Sequence, residues 1–262
     1  MGSAGQHAAG SLYYSFTAIS IFMVKKAVLA VALAALASVA HAQNPGKPRL
    51  GLKAGATLAR LTGNELDMLA GPNYRVQLGD RHTGYNVSLA ATIPLSSTGL
   101  FTVAPELQLN HKGYKLTQTS LNTTELGESE TLRINTVDRT LSYLDLPVPV
   151  RVNTNGGVYF ELGPQVGYLL GSSTDTETYS KFSDSRKEAT TKASSDASGD
   201  VAKWDFGALA GVGYQSRNGL TLGLRYNRGF QTVLDTKAIE SKPKSANDAV
   251  ILQVGYLLQL GK

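Results

Sequence analysis

The 262-residue chain has no cysteine, one tryptophan, three methionines and four histidines, and only 17% of its residues are charged. Without cysteine there is neither a disulfide scaffold nor a thiolate metal site. Charge falls short of the roughly 25% typical of a soluble domain, and 42% hydrophobic content excludes a disordered chain. No Gly-rich phosphate loop opens a helix, because no helical period is evident, and metal-ligand spacing is absent too. What the chain has in quantity is glycine, 27 residues, with nine prolines. The formal charge of +5 suggests an anionic partner such as nucleic acid.

Part of that charge belongs to the N-terminus. Met23-Val-Lys25-Lys26 precedes the apolar run from Ala27 to Val39, then Ala40-His41-Ala42. A charged region, an apolar stretch and a small-x-small site make a signal peptide, with cleavage expected after Ala42. The run is too short for a membrane-spanning helix. Residues 1–22 read as an over-called extension, 23–42 as the signal, and 43–262 as the mature domain. Removing the leader leaves 23 basic against 20 acidic side chains, and the case for nucleic acid fades.

Beyond the leader, period-2 alternation dominates. It recurs in eight segments: 50–58, 85–93, 101–110, 144–152, 158–168, 204–214, 220–227 and 250–260. Each has one apolar face and one face of glycine, small polar and occasional charged residues. About ten residues is what a tilted strand needs to cross a bilayer core. Three connectors are short and rich in Asn, Gly and Ser, near 96–99, 153–156 and 216–219. Four are long and polar, near 61–82, 118–137, 172–203 and 231–247. Strict alternation of short and long, beginning with long, predicts an all-β, eight-stranded antiparallel up-and-down transmembrane barrel with its long loops outside. Such a barrel resides in the outer membrane of a Gram-negative envelope, surrounded by outer-membrane lipid.

Aromatic residues are expected in two belts. Phe101, Phe160, Tyr214 and Tyr256 fall near the short turns. Tyr85, Tyr168, Trp204, Phe206 and Tyr226 fall near the long loops, with Tyr114 a further candidate. On the same register Lys53, Glu106, Asp145, Arg151, Glu161, Asp205 and Arg225 project inward, four acids against three bases. An eight-stranded lumen holds little besides side chains, so a salt-bridged plug is expected, with Glu106 or Asp145 close to Arg225. The other reading of these groups is a proton or ion path. Pro105, Pro147 and Pro164 lie at similar heights on consecutive strands and predict missing ladder bonds there.

Tyr143-Leu-Asp-Leu-Pro147-Val-Pro-Val, Glu161-Leu-Gly-Pro164-Gln-Val-Gly-Tyr168-Leu-Leu-Gly171, Asp205-Phe-Gly-Ala-Leu-Ala-Gly211-Val-Gly and Leu224-Arg-Tyr-Asn-Arg-Gly229 resemble PorT-like outer-membrane β-barrel proteins, common in Bacteroidota. The resemblance covers essentially the whole mature chain and implies the same barrel. The founding member's part in protein secretion makes secretion-machinery proteins candidate partners.

A nucleophile or carboxylate pair is not evident around His82 or His111, the two histidines beyond the leader, so no catalytic, cofactor or metal site is expected. The leading expectation is a monomeric, non-enzymatic barrel whose long loops, 172–203 above all, serve structure or surface interaction. A PorT-like secretion component is the alternative, and a small soluble ligand-binding barrel the second.

Overall fold

The computed structural model describes residues 47–64, 73–120, 130–183, 188–196, 199, 201–234 and 244–260. The signal peptide and the extension before it lie outside these residues. Among the described residues all the regular structure is strand: β1 (Arg49–Asn64), β2 (Tyr74–Leu78), β3 (His82–Pro94), β4 (Phe101–Val103), β5 (Glu106–Ser120), β6 (Glu130–Pro147), β7 (Val150–Asn153), β8 (Val158–Phe182), β9 (Glu188–Asp196), β10 (Trp204–Gln215), β11 (Leu220–Gly229) and β12 (Lys244–Gln259).

Eight walls close on themselves. Going round, β1 pairs with β3, β3 with β4 and β5, these with β7 and β6, both with β8, then β10, β11 and β12. The ring closes through sixteen antiparallel pairs from Arg49↔Gln259 to Asn64↔Lys244. Every neighbour is antiparallel, as an up-and-down barrel requires. Closure leaves no edge inside the wall, so its strands pair on both sides around the ring.

Three tight turns link strands at one end. In each, the last glycine donates to the carbonyl three residues back: Gly99 to Ser96 at 3.0 Å, Gly157 to Thr154 at 3.1 Å and Gly219 to Ser216 at 3.1 Å. Their φ angles of 69°, 88° and 98° favour glycine at these points.

Prolines split two walls into pairs of strands. Chain continuity runs from β4 through Pro105 into β5, and from β6 through Val148-Pro149 into β7. Their carbonyls still accept: Ala91 donates to Pro105 at 3.0 Å, Ala104 to Pro149 at 2.9 Å and Val148 to Pro164 at 3.0 Å. Pro164 sits within an unbroken β8 and Pro147 is the last residue of β6, so each withholds one ladder donor without itself breaking its strand. Proline lacks a donor but not an acceptor, and one-sided bonding keeps the wall closed.

The strands are unequal. β8 has 25 residues and β6 has 18, whereas β10 and β11 have 12 and 10. At about 3.3 Å per residue β8 is roughly 80 Å long, far beyond the bilayer. Much of what the sequence presents as long loops is therefore strand. β5, β6 and β8 continue past the wall, β2 adds to β5 over Tyr74↔Ser120 to Leu78↔Leu116, and β9 adds to β8 over Ser173↔Asp196 to Lys181↔Glu188. The expected loop 172–203 thus contains a hairpin arm and its return strand.

The distribution of side chains is inverted relative to a soluble domain. Outward positions such as Leu52, Leu89, Leu162, Leu222 and Val254 are exposed, while inward Asn86, Gln108, Asn110, Asp145 and Arg151 are buried. A soluble ligand-binding barrel needs the opposite, an apolar lumen and a polar exterior.

Candidate functional site

All seven expected inward charges are buried within the ring. They form two groups. In the group nearer the short turns, Glu106 of β5 accepts two bonds from Arg225 of β11, at 2.8 Å and 2.5 Å. It also bonds Lys53 of β1 and lies 3.6 Å from Arg151 of β7. Glu161 of β8 accepts from Arg151 Nε at 2.7 Å and from Arg225. Arg151 stacks over the Tyr159 ring, 4.2 Å from its centre. Two carboxylates and three cations thus tie five strands across the lumen.

The second group is centred on Lys112 of β5. Its Nζ lies 2.9 Å from Asp145 of β6 and 3.3 Å from Asp205 of β10. Asn110 donates to Asp145 at 3.0 Å and Asn247 to Asp205 at 2.8 Å. Asp145 therefore bonds Lys112 rather than Arg225, and of the two expected partners only Glu106 meets that arginine. Lys112 is one residue that sequence reasoning missed, and the buried Arg139 of β6 is another. The expected strand stopped at Asn110, yet the inward positions continue through Lys112, Tyr114 and Leu116. Adding Lys112 brings these two groups to four acids and four bases. Charge neutrality is what burial in a narrow lumen demands. A further buried base, Arg139 of β6, lies nearer the cap and donates to Ser172 at 2.9 Å.

Inward glycines make room for this packing. A Cβ on Gly167 would lie 2.4 Å from Asp145 Oδ1, and one on Gly211 2.9 Å from Glu161 Oε1. Beside them a polar chain runs from Gln253 to Asn86 at 2.8 Å, Asn86 to Thr57 at 3.0 Å and Thr57 to Asn110 at 2.8 Å. A void bordered by Lys112, Gln165, Asp205, Asn227 and Asn247 measures about 10 Å³, which is room for about one water.

Towards the long-loop end the lumen turns apolar. Leu61, Tyr114, Leu116, Leu141, Tyr143, Leu169, Val201, Val233 and Leu234 form one buried cluster. Val201 and Leu234 come from loops and bridge each other. Tyr114, a candidate for the outer belt, belongs to this cap: its position on β5 has inward parity. At the other end a vestibule of about 310 Å³ opens between the turns, bordered by Arg49, Thr102, Asn153 and Arg217.

The nine belt residues sit on the outer wall. Tyr85, Phe101, Phe160, Trp204, Phe206, Tyr214, Tyr226 and Tyr256 are exposed, and Tyr168 is half-buried. Trp204 meets Tyr168 edge-on at 5.0 Å and stacks with Phe206 at 6.3 Å. The two histidines are at the same end. His111 stacks on Tyr85 at 4.1 Å, and His82 Nδ1 lies 2.6 Å from Asp138.

Above the wall the surface is polar. All nine residues of β9 are exposed. Lys192 pairs with Glu177 across the β8–β9 hairpin at 3.2 Å, and Thr178 donates to Asn135 at 2.9 Å. Tyr179 bonds Glu188, which raises its hydroxyl pKa. On β6, Arg133 donates to Glu130 at 3.1 Å and 2.5 Å, and these bonds hold its guanidinium above the ordinary range.

Residues 41–235 match the family model described as outer membrane protein beta-barrel domain. The chain belongs to this family. It is accordingly an outer-membrane protein, and the apolar exterior is its lipid-facing surface. No curated protein matches the sequence. Among solved structures, the chain is similar to the attachment invasion locus protein Ail of Yersinia pestis, at 11% identity and a TM-score of 0.40, covering 81% of this chain and 99% of that one. It is also similar to Neisserial surface protein A, at 10% identity and 0.33, covering 79% and 96%. A third is OprG of Pseudomonas aeruginosa, at 10% and 0.28, covering 82% and 98%.

Proposed function

We propose that this outer-membrane barrel is a closed, non-enzymatic scaffold that carries a stranded extension outward for surface interaction. The observation that supports it is the extension itself: β5, β6 and β8 rise out of the wall and recruit β2 and β9. Rigid strands position a recognition surface better than a long irregular loop does. Its mixed charges, as in the Lys192–Glu177 pair, suit a polar partner rather than a field of one sign. The two ionic groups and the apolar cap argue that the wall is a support and not a conduit.

The test is deletion of residues 174–197, which removes the hairpin tip and spares Val201 in the cap. The truncated protein should keep its heat-modifiable gel mobility in outer-membrane fractions. It should lose any partner that the intact protein captures from living cells. Unchanged capture would defeat the reading.

The PorT-like motifs favour a second role, as a component of protein secretion in a Bacteroidota envelope. Co-purification with secretion-machinery proteins would support it, and normal secretion by a deletion strain would sink it. Export by a signal peptide cleaved after Ala42 belongs to either role; N-terminal sequencing of the mature protein should begin at Gln43.

A further inference from the structure

On the lipid-facing side, four charged residues, three on neighbouring strands and one just before a fourth, stand in one row. Arg60 of β1 is the register partner of Asp248 of β12, and Asp248 is the partner of Arg228 of β11. Arg81 precedes β3, one step beyond the Ala59↔His82 pair, and completes the row. The Asp248 carboxylate is almost wholly buried beneath its neighbours. Arg81 lies 2.8 Å from it, Arg228 3.4 Å and Arg60 3.7 Å, and the Tyr226 hydroxyl donates to it at 2.6 Å. One carboxylate cannot neutralise three guanidiniums, so among the described residues the row has two surplus positive charges. The guanidinium-bearing side chains remain accessible: 50% for Arg60, 28% for Arg81 and 42% for Arg228.

The height of the row gives this surplus a meaning. On β11 the outward positions below it are Leu220, Leu222, Leu224 and Tyr226, all exposed and lipid-facing. Arg228 is the next outward residue, so the row begins where the apolar band stops. Here β11 ends at Gly229, one residue past Arg228, while β1 and β12 stay paired for four residues beyond the row, to Asn64↔Lys244. Beside Arg228 a groove of about 320 Å³ runs along Thr62, Gly229 and Ser245, with Phe230 at its border. Phe230 is 72% exposed, the most of any large apolar side chain among the described residues. Cations just above an apolar wall, an open groove and a projecting ring match the phosphate, polar head and acyl chain of one lipid.

We propose that the rim of β11, β12, β1 and β3 binds the phosphate-bearing headgroup of an outer-leaflet lipid. Asp248 acts as a positioning residue that holds the three arginines in one line, and the arginines contact the phosphate. This site is separate from the stranded extension and rests only on the chain's place in the outer membrane.

The single tryptophan, Trp204, lies at the same end on the adjacent strand β10 and serves as a local reporter. The full-length protein is placed in phosphatidylcholine vesicles containing a small fraction of either brominated phosphatidic acid or brominated diacylglycerol. Quenching of Trp204 should be stronger with the phosphate-bearing lipid. Each single replacement, Arg60→Gln, Arg81→Gln or Arg228→Gln, should weaken that enrichment about fivefold. Conversion of all three to lysine should retain most of it. Heat-modifiable mobility checks that each variant has folded, and the single variants stand in if a triple variant does not. Equal quenching by the two lipids, or enrichment unchanged by the glutamine replacements, would overturn the proposal. So would stabilisation by inorganic phosphate alone with no lipid enrichment, which would assign the row to a free anion.

Discussion

Glu106 is the residue on which the lumen depends most, because it contacts Lys53, Arg151 and Arg225 from three separate strands. Glu106→Gln leaves three buried cations facing a single remaining carboxylate, Glu161. Breaking a buried pair in this way costs about 3–5 kcal/mol. Urea unfolding in detergent micelles should show a loss of that size, and adding Lys53→Met should restore part of it by removing one stranded charge. An unchanged midpoint for Glu106→Gln would mean that the group is not coupled. The inward direction of these residues was legible from period-2 alternation alone. Their partners were not, since Glu106 and Arg225 are 119 residues apart and meet only across a closed lumen. Lys112 was hidden for a different reason. Its parity was visible, but the polar composition after Asn110 resembles loop, and only pairing with β6 shows that the strand continues.

Turns and strands respond on their own scale. Gly99 and Gly219 both have positive φ, but their surroundings differ. A Cβ at Gly219 would sit 2.1 Å from the Leu257 carbonyl oxygen, whereas one at Gly99 meets nothing within 4 Å. Gly99→Ala should cost only the backbone term, roughly 1–2 kcal/mol. Gly219→Ala should cost more, because β12 must shift as well. Comparison of the two urea midpoints checks the order, and equal losses would contradict it. The turns themselves were readable from Asn, Gly and Ser between apolar runs. The strand ends at the opposite rim were not. Above the bilayer, strands lose their apolar face, so alternation fades although the hydrogen-bonded ladder goes on. That is why β2 and β9, with all-polar or mixed faces, lay within expected loops.

At the scale of the whole molecule, the interior is filled by two ionic groups and closed at one end by an apolar cap. Planar bilayers containing the protein should therefore show no steady conductance. Stable single-channel steps from protein with heat-modifiable mobility would contradict the filled lumen. The low charge and abundant glycine that mark the sequence have a common origin here. Lipid-facing positions exclude charge, and a crowded lumen favours residues without side chains, as at Gly167 and Gly211. Local pattern was enough to indicate the strand period, the three tight turns and the alternation of inward and outward positions within each apolar run, because each depends on neighbours two to four residues away. Tertiary structure alone decided which charges pair, how far the strands rise, and that Arg60, Arg81, Arg228 and Asp248 share a row. Those depend on register around a closed ring, which places residues nearly two hundred positions apart side by side and leaves no periodic trace in the chain.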